Sequence, residues 1–288
     1  MDISFGIIFG LIAMFGFGIA NALVKIPTKK IGIIRTIFVR GIFSSLMLFL
    51  ILLFFLPETN FDLTYIFIAV IIAIIGYIPL ATFFKAIKSG KVGIITPIAN
   101  SSIIFTVLLS IIFLKESLLA TQILAILLIV VGIILTSINF KDLKNSNLFR
   151  LESGIPYALV SAILWGVVFF LLKIPVNVLG PILTSFIVEF GIMIFSILHI
   201  KVANDPFNFP NRKMLIHIFF IALFAIVGSL FFNLGIERSS VSIVAALTFS
   251  APLVSTLYGK IVYKEKLTTI QYSALFLILL GVILISYF

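Results

Sequence analysis

An all-α integral membrane fold, with ten transmembrane helices arranged as two inverted five-helix repeats, is what this sequence predicts, and three observations predict it. The first is composition. The 288 residues are 62% hydrophobic and only 10% charged, with a mean hydropathy of +1.34, whereas soluble domains carry about 25% charged residues. So apolar a chain needs lipid as its solvent, and only helices or closed barrels satisfy every backbone group there. Its apolar runs of roughly 20 residues suit helices rather than short barrel strands. The second observation is an internal duplication. Glu116, Gln122 and Gly132 recur as Glu265, Gln271 and Gly281, 149 positions later. Gly6, Phe17-Gly18 and Lys25-Ile26-Pro27 recur as Gly154, Trp165-Gly166 and Lys173-Ile174-Pro175, 148 positions later. The third is the distribution of charge between loops.

Breaks at charged residues, Pro and Asn place five spans near 3–24, 31–56, 63–87, 92–114 and 118–138. Five more follow near 154–173, 180–200, 213–236, 241–263 and 267–287. The longest polar stretch, Asn139 to Ser153, separates the two sets. The chain therefore divides into a first repeat over 1–140, a linker over 141–153 and a second repeat over 154–288. Other connections are as short as Lys115-Glu116-Ser117, which leaves no room for a soluble domain. Met1-Asp2-Ile3 lacks the basic region of a signal peptide, so the first run is expected to persist as a helix.

The net charge of +10 is read as basic loops facing anionic lipid, not as a nucleic-acid surface. Odd-numbered loops, counted with adjacent helix ends, hold 17 of the 20 basic residues; the even loops hold only Lys115, Lys173 and Arg238. The positive-inside rule then puts the odd loops in the cytoplasm and both termini outside. In the first repeat the basic loops follow the first and third helices, and in the second they follow the second and fourth. An odd helix count per repeat forces the second to enter from the opposite face, and the charges have switched to suit.

These matched positions resemble the drug/metabolite transporter superfamily in its ten-helix EamA-type form. The aromatic-Gly pair and Lys of each first helix carry the resemblance (Phe17, Gly18, Lys25; Trp165, Gly166, Lys173), with Arg40 early in the second helix. Pro252, Glu265, Gln271 and Gly281 complete the pattern in the second repeat. In the first, Ile103 stands where Pro252 would fall and Pro97 lies six residues earlier, so the helix break there is expected to be displaced. The resemblance covers nearly the whole chain. It implies a secondary transporter or exporter of amino acids, other metabolites, drugs or nucleotide sugars. Members mostly keep both termini in the cytoplasm, against the orientation that the loop charges favour.

An ionisable residue deep in a bilayer is costly and functional by default. Glu189 is the one acid well inside an apolar run, and the 149 offset makes Arg40 its counterpart. The two are expected near a shared axis. Glu189 then acts as a proton-coupling carboxylate, with Arg40 modulating it or binding an anionic group; the alternative is a structural ion pair locking the repeats together. Lys25 and Lys173 either snorkel to the interface or hold a substrate carboxylate or phosphate. Lys85, about a turn inside its span, is a cavity candidate. So are the uncharged polar positions Asn21, Thr96, Asn100, Ser101 and Asn233, and with less weight Ser250 and Ser255, with helix packing as the alternative. Trp165 and Tyr77 offer stacking faces.

Glu116 and Glu265 look like a catalytic pair, but each sits in a tight turn beside Lys, where a carboxylate is expected to cap the next helix. An intramembrane lipid enzyme would need a nucleophile with a base, or a metal set. There is no Cys, and His199 and His217 lie near span ends without a second ligand. No catalytic residue, metal or cofactor is expected. A channel would want a ring of like charges or a filter, and neither is visible. The expected partners are a small-molecule substrate and the bilayer, with no nucleic acid and a monomer as working unit, a dimer remaining open. The reading is a transporter or exporter of small metabolites working by alternating access; its alternative is proton-coupled efflux of lipophilic cations.

Overall fold

The computed structural model describes residues 3–55, 60–137, 151–204 and 208–287. Thirteen helical segments build it. In the first unit these are α1 (Ile3–Leu23), α2 (Lys25–Lys30), α3 (Ile33–Phe55), α4 (Leu63–Ser89), α5 (Val92–Asn100), α6 (Ser102–Phe113) and α7 (Ala120–Ser137). In the second they are α8 (Ile155–Leu171), α9 (Lys173–Val202), α10 (Arg212–Arg238), α11 (Val241–Thr248), α12 (Pro252–Val262) and α13 (Thr269–Tyr287). No strand occurs among the described residues. Among the described residues nine spans, three of them joining two consecutive segments, are long and apolar enough to cross a membrane, and α8 adds a tenth of 17 residues, about 26 Å at 1.5 Å per residue. The protein is a multi-pass membrane protein. Most of the 141–153 linker lies outside the described residues; its end, Leu151–Ser153, is a 3-10 turn.

Lipid-facing positions are large and apolar, among them Phe54, Leu63, Phe67, Ile112 and Ile261. Polar residues mark the helix starts instead. Asp62 accepts from the Thr64 and Tyr65 amides to open α4, and Asn211 accepts from Met214 N to open α10. Each satisfies amides that a helix start leaves orphaned.

The central layer is α5–α6 and α11–α12, two broken spans that are 67% and 78% buried where the other long spans are 33–44%. Their breaks fall at counterpart positions, Ser101 and the Phe249–Ala251 turn. The break in the first unit is thus not displaced, although Pro97 stands a turn before it. The Asn100 side chain donates to the Thr96 carbonyl and Ser101 Oγ to the Ile98 carbonyl. Side chains so engaged with backbone carbonyls compete with helix continuation and end α5 without a proline at the join.

Two further segments read as loops are helical. Both first spans turn at Val24 or Leu172 and continue as short helices over Lys25–Lys30 and from Lys173, ending at Gly32 (φ 94°) and Gly180 (φ 78°). These glycines are 148 apart and meet nothing within 4 Å, so left-handed backbone alone requires glycine there.

The units interlock by counterpart contacts. α1 packs on α10 as α8 packs on α4, α3 packs on α9, and α7 crosses α13. At that last crossing a Cβ on Gly132 would lie 2.6 Å from Ile278 Cγ1 and 2.8 Å from the Ala274 carbonyl. One on Gly281 would meet Ile129 Cγ1 at 2.6 Å and the Ala125 carbonyl at 2.7 Å. The recurring glycine is therefore the place where each unit lets the other in.

Candidate substrate cavity and its clasps

Between the units lies a cavity of about 120 Å³, room for on the order of ten waters or a small solute. Its walls are built from counterpart positions. Phe17, Ala20, Asn21, Arg40, Gly76, Leu80 and Asn100 line it from the first unit. Trp165, Val168, Phe169, Glu189, Ala225, Ser229 and Phe249 line it from the second, each 148 or 149 residues after its counterpart. A site on the pseudo-twofold axis must look like this. The symmetry breaks in chemistry, however. Asn21 faces the role that Phe169 takes in the second unit, and Asn100 that of Phe249. The amide and guanidinium groups come from the first unit; the second sets Phe169 4.7 Å from Phe232 and 4.9 Å from Phe249 between ring centroids, while both units contribute rings, Phe17 and Phe84 as well as Trp165.

Arg40 and Glu189 meet at the cavity surface as a two-pronged ion pair. Arg40 Nη2 donates to Glu189 Oε2 at 2.7 Å and Nη1 to Oε1 at 3.4 Å. The residues are 4% and 7% exposed, so each charge depends on the other rather than on bulk water for its stabilisation. Of the remaining sequence candidates, Asn21, Asn100 and Trp165 are on the wall.

Lys85, Thr96, Ser101 and Asn233 are not on it. Lys85 is on an exposed face with its Nζ 4.2 Å from the Tyr157 ring centre, because its helix turns that position outward while Phe84 takes the wall. Thr96 is fully buried, and Ser101 Oγ is engaged by its own helix. Asn233 Nδ2 donates to Ser185 Oγ at 2.8 Å, behind the ion pair. Tyr77 is likewise off the wall, its hydroxyl 2.7 Å from His199 Nδ1. Among the described residues no cluster of His, Asp and Glu suits a metal. Missed by sequence reasoning were Phe169, Ser229 and Phe249; the offset applied to Asn21 and Asn100 points to the two phenylalanines, whereas Ser229 is the counterpart of Leu80, which carries no polar signal of its own.

Two clasps hold the units together at opposite faces. Glu265 accepts from Val92 N at 3.1 Å and Gly93 N at 3.0 Å, so it caps α5 of the other unit. Glu116 accepts from Val241 N, Ser242 N and the Ser242 hydroxyl, and so caps α11. These are helix caps, but not of the helix that follows each Glu. That task falls to Gln122 and Gln271, whose carbonyl oxygens accept from Leu119 N and Thr268 N. The preceding Lys115 and Lys264 adopt φ of 55° and 54°, an uncommon left-handed turn for lysine that aims each carboxylate sideways into its neighbour.

The clasps also fix the sense of the repeat. The third residue after α6 touches the start of α11, and the third residue after α12 touches the start of α5; the two broken spans therefore run antiparallel. Lys25 Nζ adds an ion pair to Glu265 at 3.0 Å, and the Tyr263 hydroxyl donates to the Ala22 carbonyl. Burial pushes that hydroxyl well above its ordinary pKa, keeping it a donor. Lys173 donates to the Ile236 and Ser239 carbonyls at the end of α10. Both lysines thus bind protein, neither the lipid interface nor the cavity.

The comparisons with known proteins match this architecture. The model of the EamA-like transporter family fits the chain twice, over residues 4–138 and 152–287. An uncharacterized protein of Methanocaldococcus jannaschii is 34% identical over 135 residues, 46% of this chain and 96% of that protein, which is therefore about one unit long. A solved crystal structure has a TM-score of 0.68 at 16% identity, covering 97% of this chain and 95% of its own; that likeness is one of fold. With both units matched in order across nearly its whole length, the chain belongs to the EamA-like transporter family.

Proposed function

We propose that this membrane transporter is a secondary carrier that exports small metabolites, amino acids or related organic compounds, by rocking its inverted units about the central cavity. The observation that carries the reading is the buried Arg40–Glu189 pair on the cavity wall. Removing one partner of a buried pair costs about 3–5 kcal/mol because the other charge is left uncompensated. The empty carrier, with the pair closed, has a neutral centre. A carrier with a singly charged substrate anion, such as a carboxylate, on Arg40 and a proton on Glu189 is neutral as well. Intermediate occupancies leave one bare charge in the core. Substrate anion and proton are thereby coupled, and the sign of their combined gradients sets the direction, which is outward when the metabolite accumulates inside.

The asymmetric wall selects shape. Asn21 and Asn100 provide hydrogen bonds for a polar end; Trp165, Phe169 and Phe249 receive an apolar one. The same aromatic wall beside Glu189 favours a second reading, proton-coupled efflux of lipophilic cations, through cation–π contact. A thermal-shift screen of the purified protein against metabolite pools separates them. Stabilisation by an anionic or zwitterionic metabolite, followed by its flux in proteoliposomes, supports the first reading. Stabilisation by lipophilic cations alone overturns it in favour of the second.

A further inference from the structure

Polar residues repeat at one-turn spacing on three helices that pack on one another, α3, α9 and α10. Arg40, Glu189 and Ser229 stand on the cavity wall. Four residues away on the same helices stand Ser44, Ser185 and Asn233, which are 0%, 2% and 2% exposed. Positions four apart share a helix face, and each step leads away from the cavity towards the face where α3 and α10 end. The Asn233 amide donates to Ser185 Oγ, whose own proton goes to the Pro181 carbonyl. Asn233 Oδ1, Ser44 Oγ, Thr184 Oγ1 and Arg40 Nε, all buried, find no hydrogen-bond partner among the described residues. One such group costs about 1–3 kcal/mol if left dry; several along one seam are what internal water satisfies. One turn further, Leu48 after Ser44 and Ile182 before Ser185 join, with Ile51, an apolar cluster whose members Ile226, Leu230 and Leu234 lie alongside the seam.

We infer that this seam is a hydrated side branch through which Glu189 exchanges its proton with the even-loop face, apart from the substrate's route through the cavity. The inference rests on the coupling reading above. Water held by Asn233 and Ser185 delivers a proton to a Glu189 carboxylate oxygen: hydronium becomes water, carboxylate becomes carboxylic acid, and Arg40 keeps its own proton while losing its partner. Asn233 and Ser185 are positioning residues in this step. The apolar cluster is the dry plug that keeps the branch shut until α3, α9 and α10 separate. No other titratable group competes on the cavity wall. Arg40 faces Glu189 from α3, α4 presents Gly76 and Leu80, α8 presents Trp165 and Val168, and α10 presents Ser229. Tyr77 of α4 is held by His199, ten residues further along α9.

The test uses inorganic phosphate, a monoanion at acid pH, to occupy Arg40. Purified protein in lipid is rapidly acidified while infrared difference spectra follow the carboxylic-acid band of Glu189, identified by its absence in Glu189→Gln. Asn233→Leu should slow the appearance of that band at least about tenfold, equivalent to roughly 1.4 kcal/mol of barrier. Asn233→Ser, which keeps a polar group for water, should stay near the wild-type rate. Ser185→Ala provides a second, milder interruption in case the leucine variant folds poorly. Wild-type rates in both Asn233→Leu and Ser185→Ala would overturn the branch while leaving proton coupling intact. A spectrum unchanged by Glu189→Gln with phosphate present as a monoanion for Arg40 would mean that Glu189 takes no proton even when Arg40 is occupied, and would overturn the coupling reading itself.

Discussion

Arg40 and Glu189 occupy counterpart positions 149 residues apart, yet they carry opposite charges and meet as a two-pronged ion pair on the wall of the central cavity. A position that symmetry brings to the axis twice is thereby occupied by a donor and an acceptor instead of two like charges that would repel. Arg40→Met and Glu189→Gln should each lower stability by about 3–5 kcal/mol, because each strands a buried charge or donor. The double variant Arg40→Met/Glu189→Gln should lose much less than the sum. Thermal unfolding in detergent reads this, and additive losses would show that the two side chains do not depend on each other.

The clasps make a prediction that crosses between units. Glu116→Ala should loosen the start of α11, and Glu265→Ala the start of α5, each costing about 1–3 kcal/mol through charge-assisted hydrogen bonds to backbone amides. Hydrogen exchange should rise at Val241–Ser242 in the first variant and at Val92–Gly93 in the second. Exchange that rises instead at the helix following each substituted Glu would contradict the reciprocal capping.

Gly132→Val and Gly281→Val should impair the packing of α7 on α13. The opposing contacts include the backbone carbonyls of Ala274 and Ala125, which cannot move aside as a side-chain tip can. Overpacking of this kind costs about 1–3 kcal/mol. The yield of monodisperse protein and its melting temperature should both fall, whereas valine at Gly32 should act through backbone strain alone, since open space surrounds it.

Orientation is testable because the chain contains no cysteine. Single cysteines at exposed Lys88 and Arg238 sample an odd and an even loop. Charge bias predicts that Arg238→Cys reacts with an impermeant thiol reagent on intact cells and Lys88→Cys only after permeabilisation. The reverse pattern would put both termini in the cytoplasm.

Much of this arrangement is legible in the sequence because a repeat carries distance information. An offset of 149 residues names the partner of Glu189 without any coordinate, and the odd helix count turns the copy over. What the sequence hides is the set of contacts between units that are not counterparts of themselves. Local spacing shows Glu265 only the amides of its own neighbouring helix; its carboxylate instead reaches Val92, 173 residues away. For Lys25 the sequence offers the lipid interface or a substrate anion, whereas its partner is a carboxylate 240 residues away. The break after Asn100 was read from proline positions, while side chains that bond carbonyls end that helix. Thr96 and Asn233 were indistinguishable from Asn100 by type alone, because which face of a buried helix meets the cavity is a matter of packing.

Proton uptake on substrate binding tests the central claim most directly. The metabolite identified by stabilisation is added to purified protein in weakly buffered detergent solution, and the pH change is recorded. Binding of an anion at Arg40 should draw about one proton per substrate onto Glu189, a linkage that must be reciprocal. Glu189→Gln should bind without proton uptake. Wild-type protein that binds the anion with no proton uptake, or a Glu189→Gln variant that still takes one up, would contradict the coupling of substrate and proton through this pair.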